Sequence, residues 1–266
     1  MFYKGTYNGI LKKLVTGPLI HADETKANIK GKDAFVWVFT NLEEVVYYYA
    51  ETREGGFLQE LLREFRGVLV SDFYAAYDAI NCPQQKCLIH LMRDLNDDLL
   101  RQPFNEDLKE LVRAFAVLLK PMIETVDRFG LKAHFLRKHK GLVERFYKEL
   151  SKCDYQNEIT IYYKKRFEKN RNKLFTFLDY DGVPWNNNNA EHAIKAFAAL
   201  RKGLGGTSSE KGIGEYLTLL SICETCKYKG VDFLGFLRSG EKDIEVFIKK
   251  GAPVSKESGF PTRLPE

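Results

Sequence analysis

A mixed α/β fold interrupted by a long all-helical stretch is the fold class this sequence predicts, and three observations predict it. Two runs rich in β-branched and aromatic residues, Ala34 to Phe39 and Val45 to Tyr49, follow one another with only a polar stretch between them. A third such run, Val68 to Asp72, comes after a helical pattern. From about Leu91 to Leu178 the apolar residues recur at helical spacing instead.

Taken in order, Met1 to Gly17 is a lead-in that carries lysines but no apolar stretch of about 7–15 residues before a cleavage site, so it does not read as a signal peptide. Pro18 to Asp23 is a short apolar segment ending in an acid. The runs at 34–39 and 45–49 then read as adjacent strands of a meander, set off by Gly31 and the polar Thr40 to Glu44. Phe57, Leu58, Leu61, Leu62 and Phe65 mark a helix after Gly55-Gly56. Gly67 opens the strand Val68 to Asp72, a short helix follows around Ala75 to Ile80, and Lys86 to Ile89 is a candidate fifth strand.

The helical stretch has three parts. Leu108, Leu111, Val112, Phe115, Leu118 and Leu119 form one amphipathic stripe, which Pro121 is expected to kink or end. Phe135 to Leu150 carries a second, and about Ile159 to Leu178 a third. Gly182 and Pro184 break the pattern before a helix from near Asn187 to Leu200, a flexible glycine-rich loop from Gly203 to Gly214, and a helix from roughly Glu215 to Lys229. The tail after Gly251 reads as disordered. Three antiparallel strands followed by alternating α and β is the ribonuclease H-like order. The expectation is therefore a ribonuclease H-like mixed sheet flanked by helices, its core split into 18–95 and 181–250 by a helical insertion at 96–180, with a lead-in at 1–17 and a flexible tail at 251–266.

Composition narrows the function classes. With 44% hydrophobic and 29% charged residues the chain is an ordinary globular one, not a disordered one. Lys and Arg exceed Asp and Glu by 41 to 36, a net charge of +5 that leans only slightly toward a polyanionic partner. No run of about 18 apolar residues exists, so no membrane partner is expected. Five scattered cysteines, an odd number, fit reduced thiols in a cytosol better than a disulfide framework.

Chemistry enters through three acids. Asp23 ends one predicted strand, Asp72 ends another, and Glu191 lies in the first turns of a later helix. If the first and fourth strands are neighbours, both aspartates emerge at one sheet edge, where open α/β sheets place their sites. Three carboxylates brought together need a counter-charge. Hard divalent cations with oxygen ligands, two Mg²⁺ or Mn²⁺ ions, supply it. The reaction class that follows is phosphodiester hydrolysis or transesterification. The plainer alternative is that each Asp is a turn or cap residue and that Glu191 merely suits the helix dipole.

Several blocks resemble a known family. His21-Ala22-Asp23-Glu24-Thr25 resembles the first-aspartate motif of the insertion sequence 66 family of bacterial DDE transposases. Ser71-Asp72-Phe73-Tyr74-Ala75-Ala76-Tyr77 resembles the second, and Cys87-Leu88-Ile89-His90-Leu91-Met92-Arg93-Asp94 its cysteine–histidine segment. Pro184 with Asn187-Asn188-Asn189-Ala190-Glu191 is similar to the block that carries the catalytic glutamate. Arg201-Lys202 with the glycine-rich loop, and Thr225-Cys226-Lys227 with Gly230-Val231-Asp232, match in the same order. These blocks cover about residues 18 to 237. The resemblance implies Asp23, Asp72 and Glu191 as catalytic metal ligands, Mg²⁺-dependent cleavage at transposon ends, and strand transfer into target DNA. It also implies a homo-oligomer on DNA, accessory proteins of the same element, and a bacterial cytoplasmic location. Glu24, beside Asp23 on a strand, points to the opposite face.

The chain departs from the family pattern in three places. His192 stands where the family usually has arginine after the glutamate, which weakens a phosphate contact there when the ring is neutral. The loop after Lys202 is shorter and richer in glycine. Family members carry an N-terminal region that binds transposon ends, whereas this chain begins just before the first aspartate. The expectation is a truncated gene or a fragment, and the alternative function is a truncated or domesticated relative that binds DNA without catalysing transposition.

Around the triad, Asn187 and Asn188 are candidate N-caps that aim Glu191, and His90 is a candidate support for the site. Cys87 and His90 form a C-x₂-H pair, half of a zinc site with Cys82 as a third ligand, or else a buried thiol beside a hydrogen-bonded histidine. DNA contacts are expected from Arg201, Lys202 and His192 and from the basic run Lys164, Lys165, Arg166, Lys169, Arg171 and Lys173, although such runs are often just solvated faces. Trp185 reads either as a base-stacking residue or as a core anchor.

Overall fold

The structure is a computed structural model that describes residues 2–204 and 209–251, with side chains described as far as residue 199 and again from 209. The protein is mixed α/β with a five-stranded mixed sheet in the order β3-β2-β1-β4-β5. The chain divides into two compact units, one built from 1–67, 75–81 and 188–266, the other from 68–74 and 82–187.

The first unit begins with α1 (Lys4–Thr16), which occupies the lead-in. β1 (Leu19–Ile29), β2 (Lys32–Thr40) and β3 (Val45–Ala50) follow as an antiparallel meander. β1 does not stop at Asp23. It runs six residues further because His21 to Ile29 pair in continuous register with Lys32 to Thr40. The two-residue turn between them places Lys30 at φ 52° and Gly31 at φ 80°, the twist that a tight hairpin needs. Thus the strand is held by its partner rather than by its own apolar pattern. α2 is only Phe57–Leu61, shorter than the apolar spacing through Phe65 suggests.

The two faces of the meander are covered differently. Ala27, Ile29, Val36, Val38 and Tyr47 pack against Ala190, Ala193 and Phe197 of α9 (Asn188–Leu204) and Ile213, Leu217 and Leu220 of α10 (Glu210–Tyr228). On the other face Trp37 meets Phe57 and Tyr77 edge-on, with centroids 5.3 and 5.6 Å away. β3 is the edge strand, and α10 covers its open backbone: Val45 and Tyr47 N–H donate to Thr225 Oγ1 (3.1 Å) and Ser221 Oγ (2.9 Å). This satisfies donors that would otherwise invite pairing with another chain. α11 (Phe233–Ser239) and α12 (Ile244–Lys249) close the unit. α10 starts at Glu210 with Ser209 as N-cap, its Oγ accepting Gly212 N–H at 3.1 Å. The expected glycine-rich loop is therefore helical up to Leu204 and again from Glu210, while 205–208 lie outside the described residues, as does the tail beyond 251.

The second unit pairs β4 (Val68–Ser71) in parallel with β5 (Gln84–Lys86). The fifth strand thus lies earlier than expected. Residues 87–89 instead turn into α3 (Leu88–Arg101). Helices α4 (Glu106–Phe129), α5 (Ala133–Leu136), α6 (Lys140–Lys152), α7 (Glu158–Lys169) and α8 (Arg171–Leu174) follow. Pro121 neither ends nor interrupts α4. It forfeits one backbone bond to Val117, and Val117 is exposed, so water can take the carbonyl. The core here is aromatic, with Phe167 lying 4.9 Å from Phe115 and 5.4 Å from Phe146.

Candidate functional site

In the first unit Asp23 is half-buried at the fifth position of β1, opposite Val38. Period-two alternation places its side chain on the same face as Ala27 and Ile29, the face that α9 covers. Its Oδ1 accepts the Glu24 N–H at 2.9 Å. Glu24 points to the other face and is engaged there. It takes Arg53 through Nε (3.0 Å) and a terminal guanidinium nitrogen (2.6 Å), and its Oε2 accepts from Tyr77 Oη at 2.7 Å. Of the two adjacent acids, Asp23 is the one directed toward α9.

Glu191 lies in the first turn of α9 and is half-buried. Ala190, Ala193 and Phe197 recur at helical spacing, so the helix seats one stripe on the meander. Its start is pinned by Asn189, a residue that sequence reasoning did not single out. Asn189 Nδ2 donates to Asn41 O (2.8 Å) and Tyr228 Oη donates to Asn189 Oδ1 (3.3 Å). Asn188 is the first helical residue and the exposed His192 follows Glu191. Further along the same helix, the side chains of Arg201 and Lys202 lie outside the described residues.

In the second unit Asp72 follows the last residue of β4. Its Oδ1 accepts the Tyr74 N–H at 2.8 Å, and its backbone carbonyl accepts the Ser71 Oγ–H at 3.0 Å. The carboxylate is thus oriented by a local turn. Lys86, which sequence reasoning also missed, is buried at the register position opposite Ser71 and donates to Ser71 Oγ at 3.3 Å. The unusual signal was available in the sequence as a polar run, Gln84-Gln85-Lys86, that is wholly buried as β5.

Cys87 caps α3 and is fully buried. Its N–H donates to Ser71 O (2.8 Å) and its Sγ accepts the Asn187 N–H (3.2 Å), while Leu88 N–H donates to Trp185 O (2.9 Å). These bonds stitch 185–187 onto the junction of β5 and α3. They give the Cys87 thiol a structural use, and Asn187 is held, fully buried, immediately before the first residue of α9. His90 is half-buried in the first turn of α3, and all five cysteines are free thiols.

The basic run along α7 and α8 does not present one cationic face. Lys164 Nζ donates to Cys153 O (2.7 Å) at the end of α6. Arg166 pairs with Asp94 (2.7 Å) and lies 4.0 Å over the Phe73 ring, and Arg171 pairs with Glu144 while covering Tyr147. Of the six residues of this run, Lys165 and Lys169 are exposed and make no ion pair among the described residues. No helix among the described residues is long and apolar enough to cross a membrane.

Comparison with protein families matches residues 3–214 to the model described as the transposase IS66 family. Among curated proteins, the chain is 24% identical over 260 residues to "Uncharacterized protein y4qI" of Sinorhizobium fredii (strain NBRC 101917 / NGR234), covering 86% of this chain and 48% of that one. It is 31% identical over 72 residues to "Uncharacterized protein y4jO" of the same strain, covering 27% and 22%. The chain spans about half the length of the first relative and about a fifth of the second.

Proposed function

The chain belongs to the transposase IS66 family, and on that premise we propose that it forms the catalytic core of a DNA transposase that cleaves phosphodiesters at transposon ends and joins them to target DNA. The observation that carries this reading is that Asp23 projects from the face of the meander covered by α9, the helix of Glu191. Support for a ribonuclease H-like core comes from the strand order, an antiparallel meander followed by a parallel pair. On this reading 18–95 and 181–250 form the core, and 96–180 is the helical insertion.

The donor set suits a hard cation, because carboxylate oxygens from Asp23, Asp72 and Glu191 favour Mg²⁺ or Mn²⁺ over softer metals. Two such ions supply activation of the attacking oxygen and stabilisation of the leaving one. The protein's own part is positioning. The Tyr74 N–H holds Asp72 Oδ1, which fixes the carboxylate that would take the ion. Glu24 is kept out of the ligand set by Arg53 and Tyr77. Asn187 and Asn188 begin the helix that aims Glu191, and His90 stands by as support. Arg201, Lys202 and His192 contact DNA phosphates, with Lys165 and Lys169 as the exposed members of the α7 run. DNA, further copies of the chain on that DNA, and accessory proteins of the same element are the partners, and the bacterial cytoplasm is the location.

Titration calorimetry with Mn²⁺ tests the site without requiring turnover: the chain binds the ion, and Asp23→Ala and Asp72→Ala each lose that binding. In parallel, labelled transposon-end DNA is nicked in Mg²⁺ by the chain and not by Asp72→Ala. Equal cleavage by both would sink the triad. Metal-independent DNA binding with no cleavage in either would favour a relative that binds without cutting.

A further inference from the structure

An exposed aromatic and basic patch lies at the junction of α4 and α5. Phe129 and Phe135 stack on each other there, centroids 4.4 Å apart and rings within 20° of parallel. Both are large apolar side chains left 37% and 38% exposed, although burial inside the same unit is the rule for the other phenylalanines of its core. The stretch from Arg128 to Lys140 contains five Lys or Arg and no acid. Two of the cations are occupied locally, since Arg137 and Lys140 both reach Asp179. Arg128, Lys132 and Lys138 are exposed and form no ion pair among the described residues. Arg128 and Lys138 instead lie 5.1 and 6.0 Å from the Phe129 centroid, so the ring is bracketed by positive charge.

The backbone beneath this pair is fixed rather than loose. α4 ends at Gly130 with φ 70°, and Gly130 N–H closes on Val126 O at 2.7 Å. Ala133 N–H donates to Asp181 Oδ1 (2.7 Å) and Gly182 N–H to Leu131 O (2.8 Å), which ties both ends of the turn to a neighbouring segment of the same unit. A rigid turn therefore presents an exposed aromatic pair and three cations that form no ion pair among the described residues. That combination fits unpaired nucleotides, whose bases stack on aromatic rings while their phosphates meet Lys and Arg. A duplex offers the phosphates but keeps its base faces inside the stack.

We propose that the Phe129–Phe135 pair, with Arg128, Lys132 and Lys138, binds single-stranded DNA by base stacking and phosphate contact. The inference rests on the reading of the chain as a DNA-handling protein, but not on the carboxylate triad. On it, the helical insertion holds the strand that is unpaired beside a cut, through a surface that is blind to sequence because every base has a stacking face.

Fluorescence anisotropy of the full chain tests this with three labelled oligonucleotides of equal length: a thymidine single strand, its abasic counterpart and a duplex. The single strand is expected to bind more tightly than the abasic strand. Phe135→Ala should weaken single-strand binding roughly tenfold while moving duplex affinity less than about twofold. Phe135→Trp should restore it, and Lys132→Ala with Lys138→Ala should lower the salt dependence on all three. An unchanged thermal midpoint in Phe135→Ala shows that the fold is intact, as its exposure leads one to expect. Equal binding of the thymidine and abasic strands, or no loss in Phe135→Ala, overturns the proposal while leaving the transposase reading standing. Failure of the wild-type chain to bind any of the three overturns both.

Discussion

Two basic stretches in the helical unit look alike in sequence and behave differently in the fold. The run from Lys164 to Lys173 spends much of its charge internally: Lys164 caps α6, Arg166 is bound to Asp94 and Phe73, and Arg171 to Glu144 and Tyr147. The stretch from Arg128 to Lys140 leaves Arg128, Lys132 and Lys138 facing solvent beside an exposed aromatic pair. A charge run in a sequence reports net charge but not which side chains are free to meet a ligand. Acids elsewhere in the chain decide that, and here Asp94 and Glu144 lie far from α7 in sequence.

The largest effect that sharpens this contrast is expected at Arg166. Its side chain is 13% exposed, so Arg166→Ala removes an ion pair and a cation–ring contact from a mostly desolvated place. A loss of about 1–2 kcal/mol and a fall of a few degrees in Tm should appear in thermal unfolding. If Arg166→Ala weakens DNA binding with stability untouched, the division between the two stretches is broken.

Next comes pH, acting through the second stretch. His139 is buried with its Nε2 2.8 Å from Thr125 Oγ1. Burial, and then Lys138, hold its pKa below 6.5. The unfolded chain therefore binds the proton more readily. Stability from this group is whole above about pH 6.5 and is lost as the pH falls below it. Urea unfolding at pH 7.5 and 5.5 should show that loss, and His139→Gln should reduce the difference between the two.

A smaller change is expected from Lys164→Ala, about 0.5–1 kcal/mol for one hydrogen bond to a helix-end carbonyl. Smallest of all, Lys165→Ala, Lys169→Ala and Lys132→Ala should each alter stability by less than about 0.5 kcal/mol in the same unfolding measurement. Among these three, Lys132→Ala should also lower the salt slope of single-strand binding by about one.

Much of the architecture is legible in the sequence where apolar alternation carries it. The runs Ala34 to Phe39 and Val45 to Tyr49 fall on β2 and β3, and the run from Val68 falls on β4 as far as Ser71, with Asp72 just beyond it. Two of the departures, at β1 and β5, share a cause. β1 continues past Asp23 through Thr25 and Lys26, polar residues kept in the sheet by their pairing with Val36 and Phe35. β5 is Gln84 to Lys86, and its central side chain is satisfied by distant backbone: Gln85 Nε2 donates to Leu174 O and its Oε1 accepts Phe177 N–H, both at 2.9 Å. In each case the partner that justifies the residue is remote, so local pattern does not contain it. The same applies to the site. Asp72 is legible as a strand end, and alternation alone puts Glu24 on the face opposite Asp23. Glu191 is legible only through the resemblance of its block, because α3 to α8 separate it from the strands.

The covering of the meander by α9 and α10 has a consequence in time as well as in space. β3 ends at Ala50 and α9 begins at Asn188, so about 140 residues are synthesised between a sheet face and its cover. At roughly 5–20 residues per second this is on the order of ten to thirty seconds. Throughout that interval Val36, Val38, Val45 and Tyr47, together with the open edge of β3, await residues not yet made. The growing chain is therefore expected to need chaperone protection at this face, and to be most prone to aggregation when translation stalls within the helical unit.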